Sequence, residues 1–381
     1  MPQVITNNED LRQLAMRRAP RAIFDYVDRG SYDETTLRAN RADFDAIQLR
    51  QRVMIDVDQR SLRTTLVGTD ASMPVALAPT GLTGIMHADG EILAARAAQA
   101  FGVPFTLSTM SICSIEAVRA AVMQPFWFQF YVMRDRGYAA SLVERAKAAQ
   151  CSALMLTADL QVLGQRHRDL KNGLTVPPRL TLRNLLDIAS KPRWALAMLR
   201  TPHKSFGNLS DALPAGGKGL STLSEWIASQ FDPTLSWRDV EWVRSLWPGK
   251  LIIKGILDPD DARHAVDAGA DAIVVSNHGG RQLDGAPSAI SVLPRVVDAV
   301  GTRTEVLLDS GVRSGQDVLK ALALGARGTM IGKAFLYGLG AMGQAGVTTA
   351  LDLIRKELDV SMALTGTRDV QAVGPQVLWR P

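Results

Sequence analysis

The sequence predicts an α/β protein: a TIM (β/α)8 barrel with an N-terminal helical extension and a long insertion after the fourth strand. Three observations predict it. Eight short apolar runs recur along the chain. Amphipathic helical patterns separate most of them, the alternation expected of βα units. No G-x-G-x-x-G follows the first run, which disfavours a doubly wound open sheet, the alternative arrangement.

Residues 1–73 read as a helical segment that flanks the barrel, and 74–381 as the barrel itself. The runs are PVALAPT (74–80), PFTLS (104–108), PFWFQFY (125–131), ALMLTAD (153–159), LIIKGI (251–256), AIVVSNH (272–278), EVLLDSG (305–311) and GTMIGKA (328–334). Continuous apolarity of this kind suits parallel strands buried on both faces. Helical patterns lie at 90–102, 138–150, 258–270 and 314–326, several closing on a glycine stop. The interval after the fourth run is long, 160–250. Its last part, SWRDVEWVRSLW (236–247), supplies the fourth helix. Residues 160–232 are left as an insertion at the rim where barrel active sites form.

The chain has 381 residues, 46% of them apolar and 21% charged, with a net charge of +5. These values are ordinary for a globular protein. A charge this modest, without a basic stripe, argues against nucleic-acid binding. The two cysteines, Cys113 and Cys151, have no C-x-x-C spacing, and the five histidines are scattered. A disulfide framework and a zinc motif are therefore not expected. No run approaches the roughly 18 apolar residues of a membrane span, and the N-terminus lacks the apolar core of a secretory signal.

The run AIVVSNHGGRQLDG (272–285) is the most informative. An apolar strand delivers His278 and then, behind two glycines, Arg281. A base beside a carboxylate anchor suits proton abstraction from a small organic acid. Barrel chemistry collects at the C-terminal strand ends. Here those ends offer Thr80, Ser108, Gln129, Tyr131, Thr157, Asp159, Lys254, His278, Asp309, Gly311 and Gly332.

These residues, with SMPVALAPTGLTG (72–84), WFQFYVMRDRG (127–137), KGILDPDDA (254–262), SNHGGRQLDG (276–285) and DSGVRSG (309–315), resemble the FMN-dependent α-hydroxy acid dehydrogenases and oxidases. Within that family the bacterial respiratory L-lactate dehydrogenases are most similar, and the likeness runs essentially end to end. It implies FMN as cofactor. It implies that Pro79, Thr80, Gly81, Ser108, Gln129, Thr157, Lys254 and Ser276 meet the flavin ring, with Lys254 stabilising negative charge at its N1–O2 edge. Asp309, Gly311, Arg313, Gly332 and Lys333 then serve the phosphate side. Tyr26, Tyr131, Arg166 and Arg281 match the substrate-binding residues. His278 takes the proton, and Asp159 stabilises the resulting imidazolium, raising the histidine's proton affinity once the flavin is reduced.

Two departures matter. Lys333 stands where the family usually has arginine, a point charge in place of a fork. Gly81 stands where many relatives have alanine. Met110 occupies a site that is tryptophan in glycolate oxidases and can shape a pocket for a methyl or a larger group. The expectation is therefore an (S)-2-hydroxy acid dehydrogenase, L-lactate to pyruvate, passing electrons to a quinone-type acceptor. Alternatives are an oxygen-using oxidase, a mandelate-type substrate, or a silent flavin-binding barrel. The resemblance also implies a homo-oligomer, specifically a homotetramer.

Residues 179–204 hold six Lys/Arg and one acid, Asp187, interleaved with leucines and Trp194. A basic amphipathic pattern reads as a peripheral membrane segment. That would place the protein on the cytoplasmic side of the inner membrane. A soluble cytoplasmic protein is the alternative.

Overall fold

The computed structural model of the chain describes residues 4–174, 181–212 and 220–379. Eight strands form one all-parallel sheet: β1 (Val75–Leu77), β2 (Thr106–Ser108), β3 (Trp127–Phe130), β4 (Ala153–Thr157), β5 (Lys250–Ile256), β6 (Ala272–Val275), β7 (Glu305–Leu308) and β8 (Gly328–Ile331). Neighbours in sequence are neighbours in space, and β8 returns to pair with β1. A bridge between Leu77 and Phe105 closes the ring. This is the TIM barrel that the eight runs predict.

Each strand is shorter than its run except β5, which starts one residue before it. The polar residues after Leu77, Val275, Leu308 and Ile331 leave the ladder to turn over the barrel mouth. The last run divides, because Lys333 opens the helix Lys333–Met342.

Period-two alternation fixes what each strand residue meets. Ala76, Trp127, Ala153, Met155, Ile252, Ala272, Val274, Leu307 and Met330 form one cluster inside the barrel. Val75, Phe128, Leu154, Ile253, Ile273, Val306 and Ile331, one residue out of step, pack against the helices. Burial on both faces explains the unbroken apolar runs.

Residues before Val75 hold three helices, Asn8–Arg18, Arg21–Asp28 and Thr35–Ala46, and then a hairpin of Thr64–Leu66 and Thr69–Ala71. The hairpin differs from an all-helical reading of this segment. Its Leu66 and Val67 belong to the interior cluster, and Thr69 accepts from the Trp127 indole at 3.3 Å. It plugs the end of the barrel opposite the active-site mouth. Val67 and Gly68 between its strands both take positive φ, at 47° and 76°, a hairpin turn that a helix cannot contain.

The insertion carries helices His167–Lys171, Leu182–Ala189, Pro192–Arg200 and Leu220–Gln230. The helix Trp237–Leu246 then takes the place of the fourth barrel helix. Buried Asn208 ties the insertion down: it accepts from Ile115 N at 2.8 Å and donates to Ser108 O at 3.1 Å and Ser111 Oγ at 2.9 Å.

Leu66 is fully buried and presses on Gly328. Leu66→Ala should therefore cost about 2–5 kcal/mol, the range for a truncated core leucine. Chemical denaturation against wild type measures it, and a loss under about 1 kcal/mol would show that the hairpin does not act as a plug.

Candidate active site

The site follows from the strand alternation. Two residues beyond the last inward apolar side chains, the same inward parity brings Gln129, Thr157, Lys254, Ser276, Asp309 and Gly332. Ser108 holds the corresponding place at the end of β2. Two residues further come Tyr131, Asp159, His278 and Gly311. The barrel interior thus changes from apolar to polar at its C-terminal end.

Lys254 is the buried centre of this layer. Its ammonium lies 3.0 Å from Asp309 Oδ2 and donates to Ser276 Oγ at 2.8 Å. Burial opposes its charge, but Asp309 and Asp159 outweigh burial and hold its proton affinity above the usual lysine value. It stays cationic. Beside it, Ser108 Oγ donates to Gln129 Oε1 at 2.9 Å. Gln129 Nε2 and Thr157 Oγ1 are buried without a hydrogen-bond partner. Such atoms call for a ligand, since an unpaired buried polar group costs about 1–3 kcal/mol.

His278 Nδ1 bonds to the Asp159 carboxylate at 3.0 and 3.1 Å. Asp159 is held in turn by its loop, where the Gln282 amide donates to its carbonyl at 2.7 Å. Gly255 makes room for it. At φ +105° the strand bulges, and a Cβ there would lie 2.7 Å from Asp159 Cβ. Burial opposes ionisation of Asp159, yet His278 and Lys254 keep the carboxyl below its usual range. For His278 the balance goes the other way. Burial lowers its pKa below 6.5 and outweighs the opposing pull of Asp159. The anticipated increase is therefore not the resting condition: the histidine is a neutral base with Nδ1–H turned to Asp159 and Nε2 free to accept.

His278, Gly279 and Gly280 all have positive φ, at 59°, 68° and 72°. This tight left-handed turn swings Arg281 back over the site. At Gly280 a side chain would strike the Leu37 backbone at 2.7 Å, so the glycine is a packing requirement. The Arg281 guanidinium stacks 4.7 Å from the Tyr26 ring centre and donates to the Tyr26 carbonyl. Arg166 approaches the same ring at 5.9 Å, and its Nε is buried without a partner. Burial and the charge of Arg166 bring Arg281 down to about 10, still cationic at neutral pH. Tyr131 is pushed up by burial, Asp159 and Tyr26, and so keeps its proton.

One cavity of about 340 Å³ joins these groups. Tyr26, Tyr131, Arg166, His278 and Arg281 line it, as do Pro79, Thr80, Gly81 and Lys254. Asp309, Gly311, Arg313, Gly332 and Lys333 line its other part, where the helix Lys333–Met342 begins. Ser108, Gln129, Thr157, Asp159 and Ser276 stand behind this lining. Burial, with Arg281 and Arg313 nearby, pulls Lys333 well below the usual lysine value, and its ammonium donates to Asp28 O at 2.9 Å. Asp28 itself is braced by Arg12 and by Tyr337 at 2.8 Å. Sequence reasoning missed this support. It also missed Leu160, Leu163, Phe206, Ile227 and Phe231, apolar residues of the insertion that line the cavity. Neither group carries a motif.

A family model described as FMN-dependent dehydrogenase matches residues 15–380. The chain belongs to that family. An L-lactate dehydrogenase of Caulobacter vibrioides (strain NA1000 / CB15N) is 50% identical over 377 residues, 98% of each protein. Among solved structures, the monotopic membrane protein (S)-mandelate dehydrogenase superposes with a TM-score of 0.94, at 37% identity and 100% coverage of both chains. A mandelate oxidase variant with (S)-mandelic acid gives a TM-score of 0.83 at 36% identity, covering 99% of this chain and 98% of that one.

FMN is the family's cofactor, and the donors here fit it. Unpartnered Gln129 Nε2 and Thr157 Oγ1 suit the polar edge of a flavin ring. The helix start at Gly332, with Arg313 and Lys333 beside it, suits a phosphate.

The balance at His278 predicts its titration. In protein with labelled histidines, NMR should show His278 titrating below 6.5. Asp159→Asn should lower the value further, because the carboxylate is what favours the imidazolium. An unchanged or higher value in Asp159→Asn would show that the carboxylate does not govern the histidine.

Proposed function

We propose that the protein oxidises an (S)-2-hydroxy acid, L-lactate first of all, to the 2-oxo acid, pyruvate in that case. Electrons then pass to a quinone-type acceptor at the cytoplasmic face of the inner membrane. The observation that carries this reading is that the His278–Asp159 pair and the Arg281–Tyr26–Arg166 group open into the same cavity. The name of the Caulobacter relative supports lactate.

In this reading Arg281 and Arg166 hold the substrate carboxylate with charge-assisted hydrogen bonds, helped by the Tyr26 hydroxyl. Tyr131, protonated, donates toward the substrate hydroxyl. His278 Nε2 takes the substrate's proton. Asp159 keeps the productive tautomer and stabilises the imidazolium as it forms. Bound FMN supplies the two-electron acceptor. Pro79, Thr80, Gly81, Ser108, Gln129, Thr157, Lys254 and Ser276 hold its ring, and Lys254 offers the fixed positive charge. Asp309, Gly311, Arg313, Gly332 and Lys333 serve its phosphate end.

A second reading concerns substrate size. Met110, Leu160, Leu163, Phe206, Ile227 and Phe231 line the cavity, more apolar surface than a methyl needs. This favours acceptance of mandelate-type acids as well, the substrate class in the names of the structural neighbours. Anaerobic mixing with a panel of 2-hydroxy acids, followed by oxygen or a quinone, separates these readings and identifies the acceptor.

Membrane contact is proposed through residues 179–204, of which 179 and 180 lie outside the described residues. Helices Leu182–Ala189 and Pro192–Arg200 contain no buried residue. Leu182, Leu186 and Leu199 are 74%, 65% and 72% exposed, with Arg183, Lys191, Arg193 and Arg200 on the same two helices or the turn between them. Trp194 instead turns inward to Ile85 O at 3.0 Å. The membrane character of the mandelate dehydrogenase supports this placement, and among the described residues no helix is long and apolar enough to cross a membrane. Contact between copies of the chain fits another apolar patch, where Met54 is fully exposed and Val53 and Leu364 more than half so.

His278→Gln should leave FMN bound and slow flavin reduction by lactate at least about 100-fold, the lower range for loss of a general base. Stopped-flow absorbance measures it, and near-wild-type reduction would remove His278 from proton transfer. Wild type should co-sediment with anionic vesicles and less so as salt rises. Exchanging Leu182, Leu186 and Leu199 for serine should abolish sedimentation while flavin reduction persists. Sedimentation that survives the exchange would place the contact elsewhere.

A further inference from the structure

We propose that Asp89, Cys113 and His203 form a zinc-binding site that fastens the insertion to the barrel rim. One ligand atom from each lies within 4.8 Å of the other two. The three residues come from separate parts of the chain: the turn before helix Gly90–Phe101, the loop after β2, and the end of the insertion's Pro192–Arg200 helix. None belongs to the cavity described above.

His203 Nδ1 bonds to Asp89 Oδ1 at 2.7 Å, and Thr201 Oγ1 donates to the same oxygen at 2.5 Å. These bonds pre-orient the carboxylate and imidazole. Asp89 and His203 remain 37% and 27% exposed, so an ion can enter from solvent, whereas Cys113 forms the buried floor. Carboxylate, imidazole and thiolate with one water make a four-coordinate set that suits zinc better than calcium or magnesium.

Charge points the same way. Buried Glu91 lies behind Cys113 and accepts from Gly84 N and Ile112 N at 2.9 Å. Together with Asp89 it surrounds the thiol with negative charge. A zinc ion displaces the thiol proton to solvent, and its two positive charges then meet three negative ones, on the thiolate, Asp89 and buried Glu91. A site of net charge −1 is easier to bury than the present acid pair at −2.

Such a site would brace the helix that carries Leu196 and Leu199, beyond what the Asp89–His203 and Trp194–Ile85 contacts achieve. The test uses full-length, FMN-loaded protein, treated with a chelator and titrated with Co(II), then Zn(II). One Co(II) per chain should bind and produce tetrahedral bands at wavelengths beyond the flavin's absorption. Zn(II) should displace it and raise the thermal midpoint. Cys113→Ser, His203→Gln and Asp89→Asn should each weaken zinc binding by more than about 100-fold, beyond the usual cost of losing an outer-shell partner. Flavin absorbance checks folding, and the more exposed Asp89 and His203 variants decide the matter if Cys113→Ser does not fold. No saturable binding, or equal affinity in wild type and folded variants, overturns the site.

Discussion

Every strand of this barrel is buried on both faces, and that constraint organises the rest. Inward residues, Thr106 apart, are apolar through the barrel's depth and turn polar together only where the interior ends. They do so in one layer, at Gln129, Thr157, Lys254, Ser276 and Asp309. Lys254 is affordable there because Asp309 and Ser276 meet it within 3.0 Å. An unpaired ammonium at that depth would lose its proton. Among the described residues the opposite mouth has no such polar layer, and the hairpin with Leu66 and Val67 closes it with apolar side chains.

Above that layer the cavity gathers positive charge: Arg166, Arg281, Arg313, Lys254 and Lys333 all face it. The depressed proton affinities of Arg281 and Lys333 record burial first, then the neighbouring cations: Arg166 beside Arg281, and Arg281 and Arg313 beside Lys333. Such an arrangement is stable when anions occupy it, and the proposed ligands bring a carboxylate and a phosphate. His278 sits among these cations and is kept neutral, which is the form that can accept a proton. Burial is the main reason for that state, and the cations proposed to hold the ligands add to it.

The insertion connects this chemistry to the outside. Asn208 locks it to the end of β2, and Phe206, Ile227 and Phe231 bring it into the cavity wall. Its exposed helices lie beside the helix that carries Tyr26, where Arg21 N donates to Asp187. The cavity-lining residues and the exposed helices proposed for membrane contact thus reside in one segment. Change in the first can then reach the second without disturbing the barrel.

By itself the sequence determined the barrel, because eight doubly buried strands leave an unmistakable apolar rhythm. It also located the polar strand ends, and SNHGGRQLDG placed His278 and Arg281 together through local turn chemistry. Those features are encoded over a few residues. The hairpin plug was not legible, since a short strand pair resembles any mixed loop until the core it fills is known. Nor was the support of Lys333 by Asp28, Arg12 and Tyr337, which lie far apart in sequence. The net direction at His278 belongs to the tertiary structure too. Sequence pairs the histidine with Asp159, but only three-dimensional burial shows that desolvation outweighs the carboxylate. Contacts made across long sequence separations, and the dielectric they create, have no local pattern to read.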